Sequence, residues 1–200
     1  MEMPKPGEAH KRLGVLVGEW SGGETMYPAP WDPVGGKATA RVVNRAIVDG
    51  FAVAQEYEQR RGGKVTFRGH GVFWFDPVKQ EYVMHWWDSM AGTGGEYRGR
   101  FTGNVLVLGA PMPQGGHSRT SWDLSTPGAY GFSMEVSGDG QTWQPAMEGR
   151  YTKSGAKRAA AKPAAKKAGK KAAAKAKARP AKKAAKKAAK KAAKKAKRRR

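Results

Sequence analysis

Two histidines are the first residues whose spacing suggests a site. His70 and His85 lie on either side of Asp76-Pro77, a dipeptide typical of a turn between antiparallel strands. If the turn is symmetric about the bond between residues 77 and 78, the two imidazoles face each other at about 5 Å between Cβ atoms. A turn one residue longer pairs His70 with Trp86 instead. Two imidazoles are fewer than the three or four protein ligands of a zinc site, so we predict no metal.

An interior pocket is a second possibility for these strands. Basic side chains that point into such a pocket favour a carboxylate or another anionic ligand, whereas an apolar lining favours an apolar one. Strand arginines more often point to solvent, and aromatic side chains are plentiful enough to fill the interior, so a filled core is the favoured prediction. The candidate ligand-binding residues are Trp20, Arg68, His70, His85, Trp87 and Arg98, with Arg100 and Arg119 as further candidates.

No catalytic constellation is evident. Ser89 follows Asp88, but the sequence has no G-x-S-x-G nucleophile elbow, and both side chains are predicted to close a strand by hydrogen bonds to the backbone. Residues 92–95 (GTGG) lack the Lys-Ser/Thr of a phosphate-binding loop and are predicted to form a hairpin tip. The sequence therefore predicts a binding protein and no enzyme.

Basic residues are unevenly distributed along the 200-residue chain, which has 38 Lys+Arg, 16 Asp+Glu and a net charge of +22. Residues 153–200 contain 23 of the basic residues, 20 alanines and no acid. Residues 1–152 hold all seven tryptophans and are nearly neutral, with 15 basic and 16 acidic residues. The composition predicts a core-forming domain over 1–152 and a low-complexity basic tail over 153–200.

The tail contains no apolar residue larger than alanine, so it cannot offset its ordering entropy and is predicted to be disordered, or helical only beside a polyanion. Lysines without interleaved aromatics contact phosphates and do not read bases, which predicts salt-sensitive, nonspecific binding of DNA or RNA. Polyphosphate, an anionic membrane surface and a merely solubilising role are the alternatives. The predicted contacts are Lys166, Lys167, Lys170, Lys171, Lys182, Lys183, Lys186, Lys187, Lys190, Lys191, Lys194, Lys195, Arg198, Arg199 and Arg200.

The elements of residues 1–152 follow from their periodicity. Residues 9–17 place three leucine and valine side chains on one helical face, which Gly18 ends. The rest consists of about ten short segments with alternating or β-branched and aromatic residues, separated by Gly, Pro and Asp. We predict an all-β fold: an antiparallel calycin- or lipocalin-like barrel of about ten strands with a short N-terminal helix. Alternation alone does not distinguish a barrel from a sandwich.

Two segments resemble a known family. Residues 16–33 (LVGEWSGGETMYPAPWDP) and 67–90 (FRGHGVFWFDPVKQEYVMHWWDSM) resemble DUF1579, an uncharacterised bacterial family, and the resemblance extends over residues 8–152. It implies a calycin-like barrel and no particular activity. The G-E-W at residues 18–20 is similar to the G-x-W opening of lipocalin-like barrels, in which the tryptophan closes the barrel floor.

Resemblance to known proteins also bears on a possible cofactor and on the role of the basic tail. Haem-binding calycin barrels share a similar start with Gly18, Trp20 and Gly22, so haem is the alternative to a protein without a cofactor. Most of the tail resembles the Lys/Ala/Pro-rich tails of linker histones and of histone-like bacterial proteins. This resemblance implies contact with nucleic acid.

The sequence contains no cysteine, no signal-peptide apolar region and no 18-residue apolar run. We therefore expect a cytoplasmic protein without a membrane span, nucleoid-associated if bacterial. The favoured function is nonspecific binding of nucleic acid by the tail. The alternative is a small-molecule carrier or sensor barrel that the tail tethers, and the oligomeric state is left open.

Overall fold

The computed structural model describes residues 2–29, 31–90, 92, 94–113 and 115–154. The predicted state of the basic tail falls on residues that lie outside this range, as do all of its predicted nucleic-acid contacts.

The described part of the chain contains one short α-helix, a 3-10 helical turn at Val48–Gly50 and ten strands. Helix α1 spans Glu8–Gly14. The strands are β1 (Gly18–Met26), β2 (Gly36–Ile47), β3 (Ala52–Arg61), β4 (Lys64–Asp76), β5 (Glu81–Asp88), β6 (Gly94–Thr102), β7 (Val105–Pro111), β8 (His117–Asp123), β9 (Ala129–Ser137) and β10 (Gln144–Lys153).

Each strand pairs with the next in sequence, and β1 pairs with β10, so the sheet closes into an antiparallel ten-stranded barrel. The predicted fold class is confirmed, and closure decides between the barrel and the sandwich that alternation left open. The N-terminal helix is also confirmed, although it begins at Glu8 and ends at Gly14. Gly62 and Gly63 adopt positive φ angles of 56° and 79° in the β3–β4 turn, a conformation that glycine adopts without steric cost.

Helix α1 and the residues that follow it cover one end of the barrel, which we call the closed end. Leu13 is 1% exposed and Leu16 is fully buried. The backbone oxygen of Leu16 accepts hydrogen bonds from Trp20 Nε1 and Asn44 Nδ2, both at 2.8 Å. Trp20 thus lies at the barrel floor, where the resemblance to lipocalin-like barrels places it, and the polar groups of the floor have partners.

The burial of inward-facing side chains differs along the barrel axis. Phe73, Leu106 and Leu108 are fully buried, as expected for a core built from alternate strand residues. At the opposite end, which we call the mouth, inward-facing side chains remain partly exposed. We call the space they line the cup. Its walls include Tyr57, Phe67, Trp86, Tyr97, Met134 and Met147.

The register of the β4–β5 hairpin differs from the one that would pair the histidines. Asp76 pairs with Glu81, so His70 lies opposite Trp87 and His85 lies opposite Val72. The turn is longer than assumed because Asp76 Oδ1 accepts hydrogen bonds from the backbone of Val78, at 3.0 Å, and of Lys79, at 3.1 Å. The observed register is neither of the two that the sequence analysis considered, because His70 lies opposite Trp87 and not opposite His85 or Trp86.

Candidate ligand-binding site in the barrel interior

Five of the six predicted ligand-binding residues point away from the interior. His70 and Arg68 alternate with Gly69 and Phe67 on β4, while His85 and Trp87 alternate with the inward Trp86 on β5. Arg98 alternates with the inward Tyr97 on β6. Only Trp20 faces inward, and it is 2% exposed at the floor. The inward arginine cluster, the less favoured alternative, is not what the structure shows.

The outward basic residues have carboxylate partners. Arg68 Nη2 lies 3.2 Å from Glu58 Oε2. Arg98 Nη1 lies 3.0 Å from Asp76 Oδ2, and its Nε lies 2.7 Å from Glu96 Oε1. His70 Nδ1 lies 3.0 Å from Glu56 Oε1. These contacts are surface ion pairs, which add little to stability and form no ligand pocket.

Trp87 lies between the two histidines on the outer face. The His85 ring stacks on it with centroids 4.4 Å apart, and the His70 ring lies 6.0 Å away, tilted by 38°. Over the described ranges, no group of three or more His, Cys, Asp or Glu side chains is arranged to hold a metal ion. The histidines therefore pack against a surface tryptophan.

The strand-closing role predicted for Asp88 and Ser89 is confirmed. Asp88 Oδ1 accepts a hydrogen bond from the backbone of Met90 at 2.9 Å, and Ser89 Oγ accepts one from the backbone of Arg68 at 3.0 Å.

A buried carboxylate that the sequence analysis did not single out lies below the cup. Glu24 is 3% exposed. Its two oxygens accept hydrogen bonds from Tyr57 Oη at 2.8 and 2.9 Å, from Gln59 Nε2 at 2.9 Å and from Tyr151 Oη. We call these four side chains the Glu24 cluster. Three neutral donors converging on one carboxylate form a preorganised polar site inside the barrel.

Two glycines make room for Tyr151 in this cluster. A Cβ atom at Gly149 would lie 2.8 Å from Tyr151 Cε2, and one at Gly22 would lie 2.9 Å from Tyr151 Cδ1. The ring therefore lies against β10 and β1, where only glycine permits the approach. It also stacks on Tyr130, with centroids 4.6 Å apart and planes 15° apart.

The tyrosines around Glu24 remain hydrogen-bond donors over a wide pH range. Burial, and next the negative charge of Glu24, raise the pKa of Tyr57, Tyr130 and Tyr151 well above the ordinary tyrosine value of 10.0. Both causes raise the pKa, because a tyrosinate formed here would be a buried anion close to the negative charge of Glu24.

The cup wall above the cluster is aromatic. The rings of Tyr57, Phe67 and Trp86 lie with centroids 5.7 to 6.5 Å apart. The Trp86 indole lies flat on β4 because Gly69 and Gly71 leave space for it, and a Cβ atom at Gly71 would come within 3.1 Å of the ring. Its Nε1 donates to the Asp88 carboxylate at 3.2 Å. These contacts hold the largest wall residue in one orientation.

Arg61 ties the β1–β2 connection to β3 at the mouth. Arg61 and Asp32 form an ion pair, Arg61 Nη1 donates to Gly35 O at 3.3 Å, and Asp32 Oδ1 accepts from Gly35 N at 3.2 Å. The hydrogen bond between Arg61 and Asp32 is the largest cause of two pKa shifts: it lowers the pKa of Asp32 and raises that of Arg61. Arg61 Nε is buried without a hydrogen-bond partner in the described part of the chain.

A second concavity, of about 590 Å³, lies on the outer face across β8, β9, β10, β1 and β2. Its floor contains Gly23, Gly131 and Ser133, and its edges carry Lys37 and Arg150 as well as acidic side chains. This mixture of charges on an open surface favours no one ligand chemistry, so the cup is the stronger candidate site.

One signal in the sequence does mark Glu24. The residues at 20, 22, 24 and 26 share one face of a strand, and Trp20 on that face is expected to be buried. An acid in phase with a buried tryptophan is unusual, because an unpartnered carboxylate is costly to bury. Its three hydrogen-bond partners come from β3 and β10, and no local pattern brings those strands to β1.

The fold and the site define a closed ten-stranded antiparallel barrel with a buried floor and a partly exposed aromatic wall above a buried carboxylate. The chain belongs to the DUF1579 family, proteins of unknown function, which it matches over residues 5–153. No curated protein is significantly similar to it in sequence.

Two solved structures share the barrel. Rv2717c from M. tuberculosis superposes with a TM-score of 0.54 at 17% identity, covering 74% of this chain and 98% of that one. The S-type phycobiliprotein lyase CPES from Guillardia theta has a TM-score of 0.50 at 10% identity, covering 76% of this chain and all of the lyase. At these identities the likeness shows the fold alone. No helix in the described ranges is long and apolar enough to cross a membrane.

Proposed function

We propose that the barrel, residues 1–152, is a non-enzymatic small-ligand-binding domain whose ligand enters at the mouth and rests in the cup above the Glu24 cluster. The observation that carries this proposal is the contrast between the two halves of the interior. Phe73, Leu106 and Leu108 towards the closed end are fully buried, whereas the inward-facing Tyr57, Trp86 and Tyr97 are partly exposed. An apolar wall with a few placed polar groups is the usual composition of a ligand site.

Nuclear magnetic resonance on the full chain tests the cup with a neutral aromatic probe, naphthylmethanol. We expect the indole N–H resonance of Trp86 to shift as the probe is added, because this ring forms the cup wall. The N–H resonances of Trp20 at the floor and of Trp87 on the outer face are internal controls and should stay in place. Equal shifts of all three, or none at Trp86, would contradict a cup ligand.

The basic tail, residues 153–200, carries the second part of the proposal: nonspecific binding of nucleic-acid phosphates, in the manner of the histone-like tails it resembles. The charge distribution supports it, since 23 basic residues and no acid follow residue 152. In a bacterium such a tail would associate the protein with the nucleoid. A barrel that carries or senses a small molecule while the tail tethers it is compatible with this division.

A salt titration of duplex binding tests the tail on two unrelated DNA sequences. If about ten phosphates are contacted, log K falls against log salt with a slope near −9, equally on both sequences. Replacing Lys182, Lys183, Lys186 and Lys187 by glutamine should reduce the slope by up to about 3.6. A chain ending at residue 154 should not bind. Tight binding by that shortened chain would assign the nucleic-acid site to the barrel instead.

A further inference from the structure

The carboxylate of Glu24 has acceptor capacity that its neighbours do not use. Two carboxylate oxygens offer about four lone-pair sites. Three side chains point hydrogens at them, and the Tyr57 hydroxyl, at 2.8 and 2.9 Å from the two oxygens, has only one hydrogen to give. One acceptor position therefore remains for another donor.

The carboxylate of Glu24 also has no ion-pair partner within 4.0 Å in the described ranges. Every ion pair within 4.0 Å in the described ranges involves other carboxylates. The charge of Glu24 contributes to the raised pKa of Arg61, but the largest cause is the hydrogen bond from Arg61 to Asp32, with which Arg61 forms an ion pair at the mouth. The three donors of the Glu24 cluster are neutral. Burying a carboxylate without a cation is costly, and a cation that reaches it removes part of that cost.

The wall next to Glu24 suits a positive charge as well. Tyr57 contributes both a hydrogen bond to Glu24 and a ring to the aromatic wall, where its centroid lies 6.0 Å from that of Trp86 and 5.7 Å from that of Phe67. Ammonium groups are attracted to the faces of such rings, most strongly to tryptophan. Carboxylate and rings thus favour the same kind of ligand.

We propose that the cup selects a small organic cation, an amine on an aromatic or aliphatic body, with its ammonium group donating to Glu24 and its body against Tyr57, Phe67 and Trp86. This inference rests on the proposed ligand-binding function of the barrel and names the class of ligand. It reverses the anionic preference that inward arginines would have given, because the predicted Arg68 and Arg98 lie on the outer face and the buried charge next to the cup is that of Glu24.

Isothermal titration calorimetry on the full chain, with three probes that share a naphthyl body, tests the inference. The probes are naphthylmethylamine, which is cationic at neutral pH, neutral naphthylmethanol and anionic naphthoate. Salt at roughly 1 M shortens the Debye length to about 3 Å, which suppresses long-range attraction between the anionic probe and the basic tail but weakens a buried pair much less. We expect the amine to bind at least about tenfold more tightly than the alcohol, and naphthoate to bind most weakly.

Two matched variants locate the effect. Glu24→Gln should lower the affinity for the amine to that for the alcohol and leave the alcohol unchanged. Glu148→Gln makes the same chemical change on the outer face, where Glu148 accepts a hydrogen bond from Tyr27 at 3.1 Å, and should leave all three affinities unchanged.

The outcomes separate the inference from the function on which it rests. If none of the three probes binds, the ligand-binding function of the cup fails and the inference fails with it. If the alcohol binds and the amine binds no more tightly, the cup is still a ligand-binding site but the inference that it selects a cation is contradicted. The same holds if Glu24→Gln retains the preference for the amine. Should Glu24→Gln not fold, the ranking of the three probes on the native chain still decides between these results.

Discussion

Gly149 determines whether Tyr151 can reach Glu24. A Cβ atom at this position would lie 2.8 Å from the Tyr151 ring and 3.3 Å from Glu24 Cγ. Both neighbours are buried and held by hydrogen bonds, so neither can move away cheaply. We expect Gly149→Ala to lower the free energy of unfolding by roughly 1 to 3 kcal/mol, as overpacking does in cores. Urea denaturation measures it.

Gly23 provides the matched control. It lies in β1 of the same sheet, and a Cβ atom there would meet nothing within 4 Å. Gly23→Ala should change the free energy of unfolding by less than about 0.5 kcal/mol, as surface changes usually do. Equal losses for the two variants would mean that Gly149 acts through the backbone and not through Tyr151.

The buried tyrosines predict a loss of stability in alkali. The pKa values of Tyr57, Tyr130 and Tyr151 are raised in the folded chain above their unfolded value of 10.0, chiefly by burial. Below pH 10 both states hold these protons and stability is unaffected. Above it the unfolded chain loses protons that the folded chain retains, so the free energy of unfolding falls as pH rises.

Each such tyrosine contributes a slope of about 1.4 kcal/mol per pH unit above pH 10. We expect Tyr151→Phe to be less stable than the native chain at neutral pH but to lose stability less steeply above pH 10. Urea denaturation at several alkaline pH values, with tyrosinate absorbance as a second probe, measures both slopes. Identical slopes would show that Tyr151 ionises in the fold as readily as in the unfolded chain.

At the scale of elements, the strands and their facing were predictable and the register was not. The alternation of Tyr130, Phe132, Met134 and Val136 correctly predicts the inner face of β9, because period two is a local property. The β4–β5 register depends on how many residues the turn holds. That number follows from the two backbone hydrogen bonds to Asp76 Oδ1, which the sequence does not specify.

The β2–β3 connection has an unfavourable residue at its tip. Val48 has a φ of 50° and is 69% exposed, so a β-branched side chain occupies the left-handed region without burial to offset it. Asparagine tolerates this region much better. We expect Val48→Asn to raise the free energy of unfolding by about 1 kcal/mol in thermal or urea denaturation.

Val78 provides a control for the effect of backbone conformation at Val48. It is 90% exposed and lies in the β4–β5 turn, but it is not among the described residues with positive φ. Val78→Asn should therefore leave stability nearly unchanged. A similar gain from both variants would point to a benefit of removing surface valine, independent of backbone conformation.

For the molecule as a whole, periodicity correctly predicted the fold class, while the division of the chain at residue 152 stays a prediction from composition. The Glu24 cluster could not be predicted from the sequence, because its members lie on β1, β3 and β10 and β1 pairs with β10 only when the sheet closes. The last strand extends one residue past the predicted boundary at residue 152. Lys153 still pairs with Trp20, and Ser154 N donates to Glu19 O at 2.7 Å.

Two truncations test where the barrel ends. A chain of residues 1–154 keeps all ten strands and should unfold cooperatively in urea with the free energy of the full chain, because every residue of the described core precedes residue 155. A chain of residues 1–143 lacks β10, and with it the buried Ala146 and Tyr151 and the ladders on both sides. It should show no cooperative transition. A lower stability of the 1–154 chain in high salt would mean that residues beyond 154 belong to the folded unit.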